Sequence, residues 1–299
     1  MEGIITDSKT KCVCFSSLIT RFKLWKNLEA ILKAKQIEYN FIYNTKDIWV
    51  RDFMPIEMSY GHFLKFGYHP SYLRKLPEYR TDWPNRSKIY LRREGESKHR
   101  STGVSFPGAH LDINLDGGNV IKCDDCIIIS DRVFRENRRM KRAVLLDALE
   151  EAFRREIVII PSDPEEKTGH ADGMVRYIGD NTVLLNHYVD FDRELRDKLL
   201  KALTPRFSVA ELHYGTNSCP GTNWAYLNYL QVGDHIVVPG VNRNLDDIAF
   251  RELEDILKAR IDVVPAYGVV RIGGGLNCLS WTTQGIIMDV QYDDLEMPI

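Results

Sequence analysis

The chain has 299 residues, a formal net charge of −2 and a pI of about 6.5, and 44% of its residues are hydrophobic. This hydrophobic content is enough for a buried core, whereas the small net charge gives no basis for binding nucleic acid or an anionic membrane. No apolar run approaches the ~18 residues of a membrane span, and residues 1–11 lack the apolar core of a signal peptide. The composition therefore predicts a cytoplasmic protein with neither nucleic-acid nor membrane partners. The length allows one large domain or two ordinary ones, and the repeat along the chain favours a single domain over residues 1–299. The sequence leaves the oligomeric state open, a homo-oligomer included.

Five β-hairpins are predicted along the chain, each from two β-rich runs around a short turn of Gly, Asp, Asn or similar residues. In chain order the paired runs are 54–59 with 62–66, 119–123 with 126–130, 174–178 with 182–186, 227–232 with 235–239, and 278–283 with 286–290. The turns lie near residues 60, 124, 180, 233 and 285, at intervals of 64, 56, 53 and 52 residues. Such a near-constant period indicates repeated supersecondary units.

Amphipathic helices are predicted between the hairpins, from apolar residues spaced three and four apart. The apolar stripes are Leu24, Leu28, Ile31 and Leu32; Ala143, Leu146, Ala148 and Ala152; Leu195, Leu199, Leu200 and Leu203; and Ile248, Leu253, Ile256 and Leu257. Short strands are predicted after three of these helices, at 38–43, 156–160 and 261–265. Each unit is therefore predicted as β-β-α-β.

Five such units predict an α/β fold whose sheets close into a ring, because closure removes exposed sheet edges. An ordinary α+β domain with evenly spaced hairpins is the alternative. Residues 68–103, which are rich in Arg and Lys, interrupt the even spacing. We expect them to form a solvated excursion that carries the helix of the first unit, and a lid is the alternative.

Polar motifs lie at the start of each hairpin. In chain order they are Asp52, 116–119, His170 with Asp172, 223–228, and Cys278. If the units are equivalent, these positions occupy the same end of equivalent strands. We therefore expect them to converge near the axis of the ring.

Cys123 and Cys126 have the spacing of half a zinc site, but no second pair of ligands completes it. The simpler interpretation is that the two thiols face each other across the second hairpin. No metal site is predicted.

One thiol, one imidazole and several carboxylates indicate nucleophilic chemistry on a cationic carbon. Cys278 is preferred over Cys219 because a glycine run precedes it, and glycine allows a substrate to approach the backbone closely. His170 is preferred over the other histidines because it directly precedes a hairpin. One carboxylate is enough to orient an imidazole, so the presence of three favours a cationic substrate such as a guanidinium.

Five segments resemble ordered motifs of the guanidine-modifying (pentein) superfamily. They are Trp49-Val50-Arg51-Asp52-Phe53-Met54-Pro55, Leu115-Asp116-Gly117-Gly118-Asn119, Gly169-His170-Ala171-Asp172, 223–229 and Gly273-Gly274-Gly275-Leu276-Asn277-Cys278. Within this superfamily the chain most resembles agmatine deiminases and bacterial peptidylarginine deiminases. The resemblance implies a five-bladed α/β propeller of ββαβ units with pseudo-fivefold symmetry.

The resemblance also implies residue roles. Cys278 attacks the guanidinium carbon, His170 protonates the departing ammonia, and water then hydrolyses a covalent thiouronium with His170 as base. The implied catalytic residues are Cys278, His170, Asp172 and Asp116, where Asp116 orients His170 or the substrate. The expected substrate-binding residues are Asp52, Trp49, Asn119, Asn228 and Gly275. No metal or organic cofactor is implied, and the only partner expected is a small guanidine.

The substrate implied most directly is agmatine, which would give N-carbamoylputrescine and ammonia. Two departures keep alternatives open. Asp116 stands where agmatine deiminases usually have Glu, and the stretch around Cys278 also resembles arginine deiminases and dimethylarginine hydrolases. Deimination of arginine or peptidylarginine, hydrolysis of dimethylarginine, and amidinotransfer therefore remain alternatives. A non-enzymatic binding module on the same fold is an alternative of another class, which the presence of Cys278 disfavours.

Overall fold

The computed structural model describes residues 3–81, 89–93, 102–104, 108–189, 191–213, 223–241 and 243–285. The helices are α1 (Leu24–Ala34), α2 (Val50–Phe53), α3 (Arg132–Glu136), α4 (Arg142–Phe153), α5 (Arg193–Leu203), α6 (Arg243–Leu257) and α7 (Tyr267–Val270). The strands are β1 (Cys12–Ser16), β2 (Glu38–Ile42), β3 (Ile56–Ser59), β4 (His62–Gly67), β5 (Ile89–Arg93), β6 (Thr102–Val104), β7 (Gly108–Asn114), β8 (Val120–Lys122), β9 (Cys126–Ser130), β10 (Glu156–Ile160), β11 (Val175–Gly179), β12 (Thr182–Leu185), β13 (Ser208–Glu211), β14 (Leu230–Val232), β15 (His235–Gly240), β16 (Ile261–Pro265) and β17 (Ser280–Thr283).

Five sheets repeat one pattern, in which an antiparallel pair of strands is followed by a parallel third strand. Four sheets have three strands each, in the orders β3-β4-β7, β8-β9-β10, β11-β12-β13 and β14-β15-β16. In each of them the first pair is antiparallel and the third strand is parallel to the second. This is the five-unit α/β propeller that the sequence predicted.

The fifth sheet joins the two ends of the chain. Strand β17 pairs antiparallel with β1, which in turn pairs parallel with β2, so the repeat is completed across the termini. The sequence predicted a partner for β17 at 286–290, and that run lies outside the described residues. The pairing with β1 closes the ring and protects an edge of each strand.

The excursion at 68–103 differs from the prediction. Its described residues contain no α-helix, but they contribute β5, which pairs antiparallel with β2 and extends the fifth sheet. Two short 3₁₀ turns, Ser71–Leu73 and Pro77–Tyr79, precede this strand. The first of these turns lies against the candidate active site described below.

The helices cover the outer surfaces of the sheets with mostly the predicted apolar residues. In α4, however, the buried face consists of Leu145, Leu149 and Phe153, whereas the predicted Ala143 is exposed. The larger side chains, one turn apart, bury more apolar area than the alanines and so decide the orientation of the helix. Among the described residues, none of the helices is long and apolar enough to cross a membrane.

Cys123 and Cys126 close the second hairpin, where the Cys123 amide donates to the Cys126 carbonyl at 3.0 Å. The Cys126 thiol and burial raise the pKa of Cys123, and the register of β8 and β9 places the two residues opposite each other. The interpretation as facing thiols is therefore confirmed.

Candidate active site

The polar motifs occupy equivalent positions in the five units. Asp52 lies on the single turn of α2, and Asp116 and His170 each cap a 3₁₀ turn that leads into the first strand of a sheet. Asn228 follows the turn Asn223–Tyr226, and Cys278 lies two residues before β17. Each of these polar residues therefore comes shortly before the first strand of its unit.

His170 lies between two carboxylates. Its Nε2 is 2.9 Å from Asp116 Oδ2, and its Nδ1 is 3.5 Å from Asp52 Oδ1. Asp52 does not pair with Arg51, whose Nε donates instead to the Asn277 carbonyl at 3.3 Å. The imidazole is therefore oriented by one carboxylate and directed toward the other.

Cys278 lies beside the third carboxylate. Its Sγ is 3.6 Å from Asp172 Oδ2, and the same oxygen accepts a 2.8 Å hydrogen bond from Asn277 Nδ2. Cys278 is 9% exposed and Asp172 is 3% exposed, so both lie in a nearly closed site. The structure thus brings Cys278, Asp172, His170, Asp52 and Asp116 together.

Gly118 forms the floor between these groups. Its amide donates to Asp52 Oδ1 at 3.1 Å, and a Cβ at this position would lie 2.7 Å from that oxygen and 2.8 Å from His170 Nδ1. Only glycine leaves room for both side chains.

We expect Gly118→Ala to lower kcat/KM by about 100-fold, because the methyl group would displace Asp52 and His170 by a large fraction of an ångström. Steady-state kinetics of ammonia release from guanidine substrates would measure the effect, and circular dichroism would establish that the variant folds. Gly268→Ala is the matched control, since a Cβ there meets nothing within 4 Å. Equal activity of the two variants would contradict the described geometry.

The charges of the site shift its pKa values. Burial raises the pKa of Asp52 to about 7 against the opposing charge of His170. Burial by itself would lower the pKa of His170, but the charge of Asp52 and the bond to Asp116 outweigh burial and raise it to about 9. Burial and the charges of Asp172 and Asp52 hold the pKa of the Cys278 thiol well above its usual value. At neutral pH the site therefore holds a thiol, an imidazolium and an excess of carboxyl groups.

Of the four other residues that were predicted to bind the substrate, Asn228 and Gly275 lie against the backbone of the catalytic residues. Asn228 Oδ1 accepts from the Cys278 amide at 3.2 Å, and its Nδ2 donates to the Asp172 carbonyl at 3.3 Å. Gly275 packs against Asn228, where a Cβ would lie 2.6 Å from Oδ1. These contacts position the cysteine and Asp172 from the backbone side.

Asn119 and Trp49 make mainly structural contacts in this state. Asn119 Oδ1 accepts from the amides of Ser130 and Ala171, at 3.0 and 3.2 Å, so this side chain ties the second unit to the third. The half-buried Trp49 ring packs on the backbone of Gly274. Neither side chain makes a described hydrogen bond to a carboxylate of the site.

Three site residues escaped the sequence analysis. Asn277 belongs to the glycine-cysteine motif, and its position next to Cys278 was the available signal. Glu166, in the loop before His170, has a pKa raised to about 7 by burial and by the charges of Asp163 and Asp172. Tyr72 comes from the irregular excursion, which carries no periodic signal.

The Tyr72 side chain contacts Asp52, the carboxylate that faces Nδ1 of His170. Its hydroxyl donates to Asp52 Oδ2 at 3.4 Å, and its ring meets the His170 ring edge-on at a centroid separation of 6.2 Å. Burial and the charges of Asp116 and Asp52 keep the pKa of Tyr72 well above its usual value, so the hydroxyl keeps its proton. Tyr72 thus covers the site and donates to Asp52.

We expect Tyr72→Phe to raise KM roughly three- to tenfold while changing kcat little, because it removes one weak hydrogen bond to Asp52. Loss of this donor also raises the pKa of Asp52 further, so the acidic limb of the kcat/KM profile moves to higher pH. Tyr79→Phe serves as control, since Tyr79 is 50% exposed on the same segment. An unchanged KM and acidic limb would show that Tyr72 only covers the site.

Arg176 and Arg271, which could serve as anchors for a substrate carboxylate, have their described contacts outside the group of central residues. Arg176 is 2% exposed and donates to Asp7 Oδ2 at 2.6 Å and to the Tyr229 carbonyl at 2.9 Å. Arg271 is exposed, with its guanidinium over the Tyr267 ring at 5.7 Å. Neither has a described contact with the five central residues.

Comparison with known proteins agrees with this fold. The profile of the Porphyromonas-type peptidyl-arginine deiminase family matches residues 15–283. Comparison with curated protein sequences found no match.

Several solved structures share the fold at low sequence identity. Agmatine deiminase from C. jejuni superposes with a TM-score of 0.65 at 16% identity, covering 95% of this chain and 96% of that one. Agmatine deiminase of Enterococcus faecalis has a TM-score of 0.64 at 14% identity, over 94% and 96% of the two chains. An amidinotransferase from Microseira wollei has a TM-score of 0.58 at 14% identity, over 97% and 98%. At these identities the likeness shows the fold alone.

Proposed function

The chain belongs to the Porphyromonas-type peptidyl-arginine deiminase family, and from this premise we propose that it hydrolyses a small guanidine, agmatine, to N-carbamoylputrescine and ammonia. The observation that carries the proposal is the burial of three carboxylates around one thiol and one imidazole. Asp52, Asp116 and Asp172 are each less than a tenth exposed. Buried negative charge in this excess calls for a cation.

A guanidinium fits the free positions of these carboxylates. Asp116 Oδ1 is buried and has no hydrogen-bond partner among the described residues. Asp52 and Asp172 lie on either side of the reacting groups, with Asp172 Oδ2 3.6 Å from the nucleophilic sulfur. A planar cation with several N–H donors can bond to two or three carboxylates at once, which an ammonium does less well.

Binding of this cation prepares the nucleophile. Burial and the carboxylates raise the pKa of Cys278, and a guanidinium between the carboxylates adds the opposite charge, so the thiol loses its proton more readily, to Asp172 Oδ2 at 3.6 Å. The thiolate then attacks the guanidinium carbon and forms a tetrahedral adduct. Imidazolium His170 donates a proton to one nitrogen, ammonia leaves, and a thiouronium on Cys278 remains.

Neutral His170 completes the reaction. It takes a proton from water, which attacks the thiouronium carbon, and the carbon–sulfur bond then breaks to release the ureido product. Asp116 holds Nε2 of the ring throughout and stabilises its protonated form.

The charge of Glu166 favours agmatine over free arginine. Burial and the charges of Asp163 and Asp172 raise the pKa of Glu166 to about 7, and its ionised form would attract the terminal ammonium of agmatine and repel the α-carboxylate of arginine. Arg176, one of the two candidate anchors for that carboxylate, is already paired with Asp7. Agmatine needs no cationic anchor.

The test is ammonia release from agmatine, arginine, dimethylarginine and an arginyl peptide, with Cys278→Ser as the control for contaminating activity. Agmatine is expected to show the highest kcat/KM, and the variant is expected to be slower by roughly four orders of magnitude. A preference for arginine or the peptide would overturn the substrate but keep the chemistry. Release from none of them, or release that survives in Cys278→Ser, would overturn both, as would transfer of the amidino group to an added amine.

A further inference from the structure

A basic cleft lies outside the candidate active site. It has a volume of about 800 Å³, and its basic lining residues are Arg74, Arg132, Arg135, Arg138, Arg139 and His69. Six of the twelve residues from 131 to 142 are Arg or Lys, in a chain whose net charge is −2. This region is therefore strongly positive, although the chain as a whole carries a small negative net charge.

The acidic residues of this region are already engaged. Glu136 accepts from Arg132 Nε at 2.8 Å and from the Ser71 hydroxyl at 2.7 Å. Asp131 accepts from the amide and hydroxyl of Ser162, at 3.1 and 2.7 Å. Among the lining residues this leaves the exposed Asp112 as the only other carboxylate within the described part of the chain.

Four of the arginines retain donors for a ligand. Arg135 and Arg138 each have one hydrogen bond, from Nη2 to the Ser162 hydroxyl and from Nε to the Arg135 carbonyl, which leaves most of their N–H groups free. Arg74 and Arg139 form no ion pair with any described residue. Arg132, by contrast, bonds through Nε, Nη1 and Nη2 to Glu136, the Lys167 carbonyl and Ser71, and serves as the fixed floor.

We propose that this cleft binds a small anion with several phosphate groups. Guanidinium forks bind phosphate oxygens in pairs, and several forks in one concavity suit a ligand with several adjacent phosphates. The volume lies in the range of small-ligand sites and far exceeds one phosphate. Among the described residues, six basic side chains surround this one cleft, and such a compact cluster favours a small ligand over nucleic acid.

The cleft adjoins the cover of the active site. Ser71 lines it and is held there by Arg132 and Glu136, while the next residue, Tyr72, contacts Asp52. The binding proposal stands without the proposed function, since it is tested by direct binding.

Isothermal titration calorimetry at ~0.15 M salt tests the site with tripolyphosphate, ATP and orthophosphate as probes. Tripolyphosphate and ATP are expected to bind with Kd of about 0.1 mM or tighter, and orthophosphate at least tenfold more weakly. The double variant Arg138→Ala/Arg139→Ala is expected to weaken tripolyphosphate binding by at least roughly tenfold. Lys198→Ala/Lys201→Ala on the exposed face of α5 removes the same charge elsewhere and is expected to change the affinity less than about twofold.

Two further comparisons separate the effect of charge from that of hydrogen-bond geometry. The variant Arg138→Lys/Arg139→Lys keeps the charge but loses the paired N–H donors of the guanidinium groups, and it is expected to bind tripolyphosphate distinctly more weakly than the wild type. ATP binding tighter than tripolyphosphate would show that a nucleoside also contributes, whereas equal affinities would show recognition of phosphates alone. The proposal is overturned if the lysine variant binds as well as the wild type, if the α5 control loses as much affinity, if none of the probes binds, or if a single-stranded oligonucleotide binds more tightly than both oligophosphates.

Discussion

Cys278→Ser is expected to release ammonia from agmatine roughly 10⁴-fold more slowly than the wild type, with a similar melting temperature. The serine hydroxyl fits the same space, but it is far less acidic than a thiol. The carboxylates that raise the pKa of Cys278 would disfavour an alkoxide even more. Substrate binding by Asp52, Asp116 and Asp172 should remain, so equilibrium dialysis with agmatine should still detect the complex.

Mass spectrometry of acid-quenched wild-type enzyme provides the positive counterpart. During turnover with agmatine, a fraction of the protein should carry agmatine minus ammonia, an N-(4-aminobutyl)amidino group, on the peptide that contains Cys278, and the serine variant should carry none. A modified peptide elsewhere, for example around Cys123, would place the nucleophile in a different part of the chain. Activity of the serine variant near wild-type level would eliminate covalent catalysis by Cys278.

The repeat of the fold was predictable because hairpins and amphipathic helices leave local signals. Strands β3 and β4 are two β-rich runs on either side of a Tyr-Gly turn, and α5 has leucines three and four residues apart. The near-constant distance between turns then indicated equivalent units. The pairing of β17 with β1 left no local signal, because it joins residues at opposite ends of the chain.

The positions of the central site residues followed from that repeat. Asp52, Asp116, His170 and Cys278 hold the same place in different units, so their proximity depends on symmetry that the turn spacing already indicated. Tyr72 belongs to the one segment that breaks the repeat, and nothing in the local sequence indicates its contact with Asp52. Similarly, the buried face of α4 depended on side-chain volume, which the spacing of apolar residues does not describe.

Asp116→Asn is expected to lower kcat/KM by roughly 10²- to 10⁴-fold and to change its pH dependence. In the wild type, kcat/KM should be bell-shaped. Activity is lost as pH falls through the pKa of Asp52, about 7, because a protonated Asp52 no longer binds the cation. It is also lost as pH rises through the pKa of His170, about 9, because neutral imidazole cannot protonate the departing ammonia.

The bond and charge of Asp116 help to raise the pKa of His170, so their removal by the asparagine substitution should bring the alkaline limb down by about one pH unit or more. Asp124→Asn is the matched control, since this surface carboxylate pairs with Lys9 and should leave both limbs in place. The measurement is kcat/KM for ammonia release between about pH 5 and 10, which spans both titrations. An alkaline limb that stays near its wild-type position in Asp116→Asn would mean that His170 is not the acid, because the residue that titrates there would then be insensitive to the carboxylate 2.9 Å from Nε2.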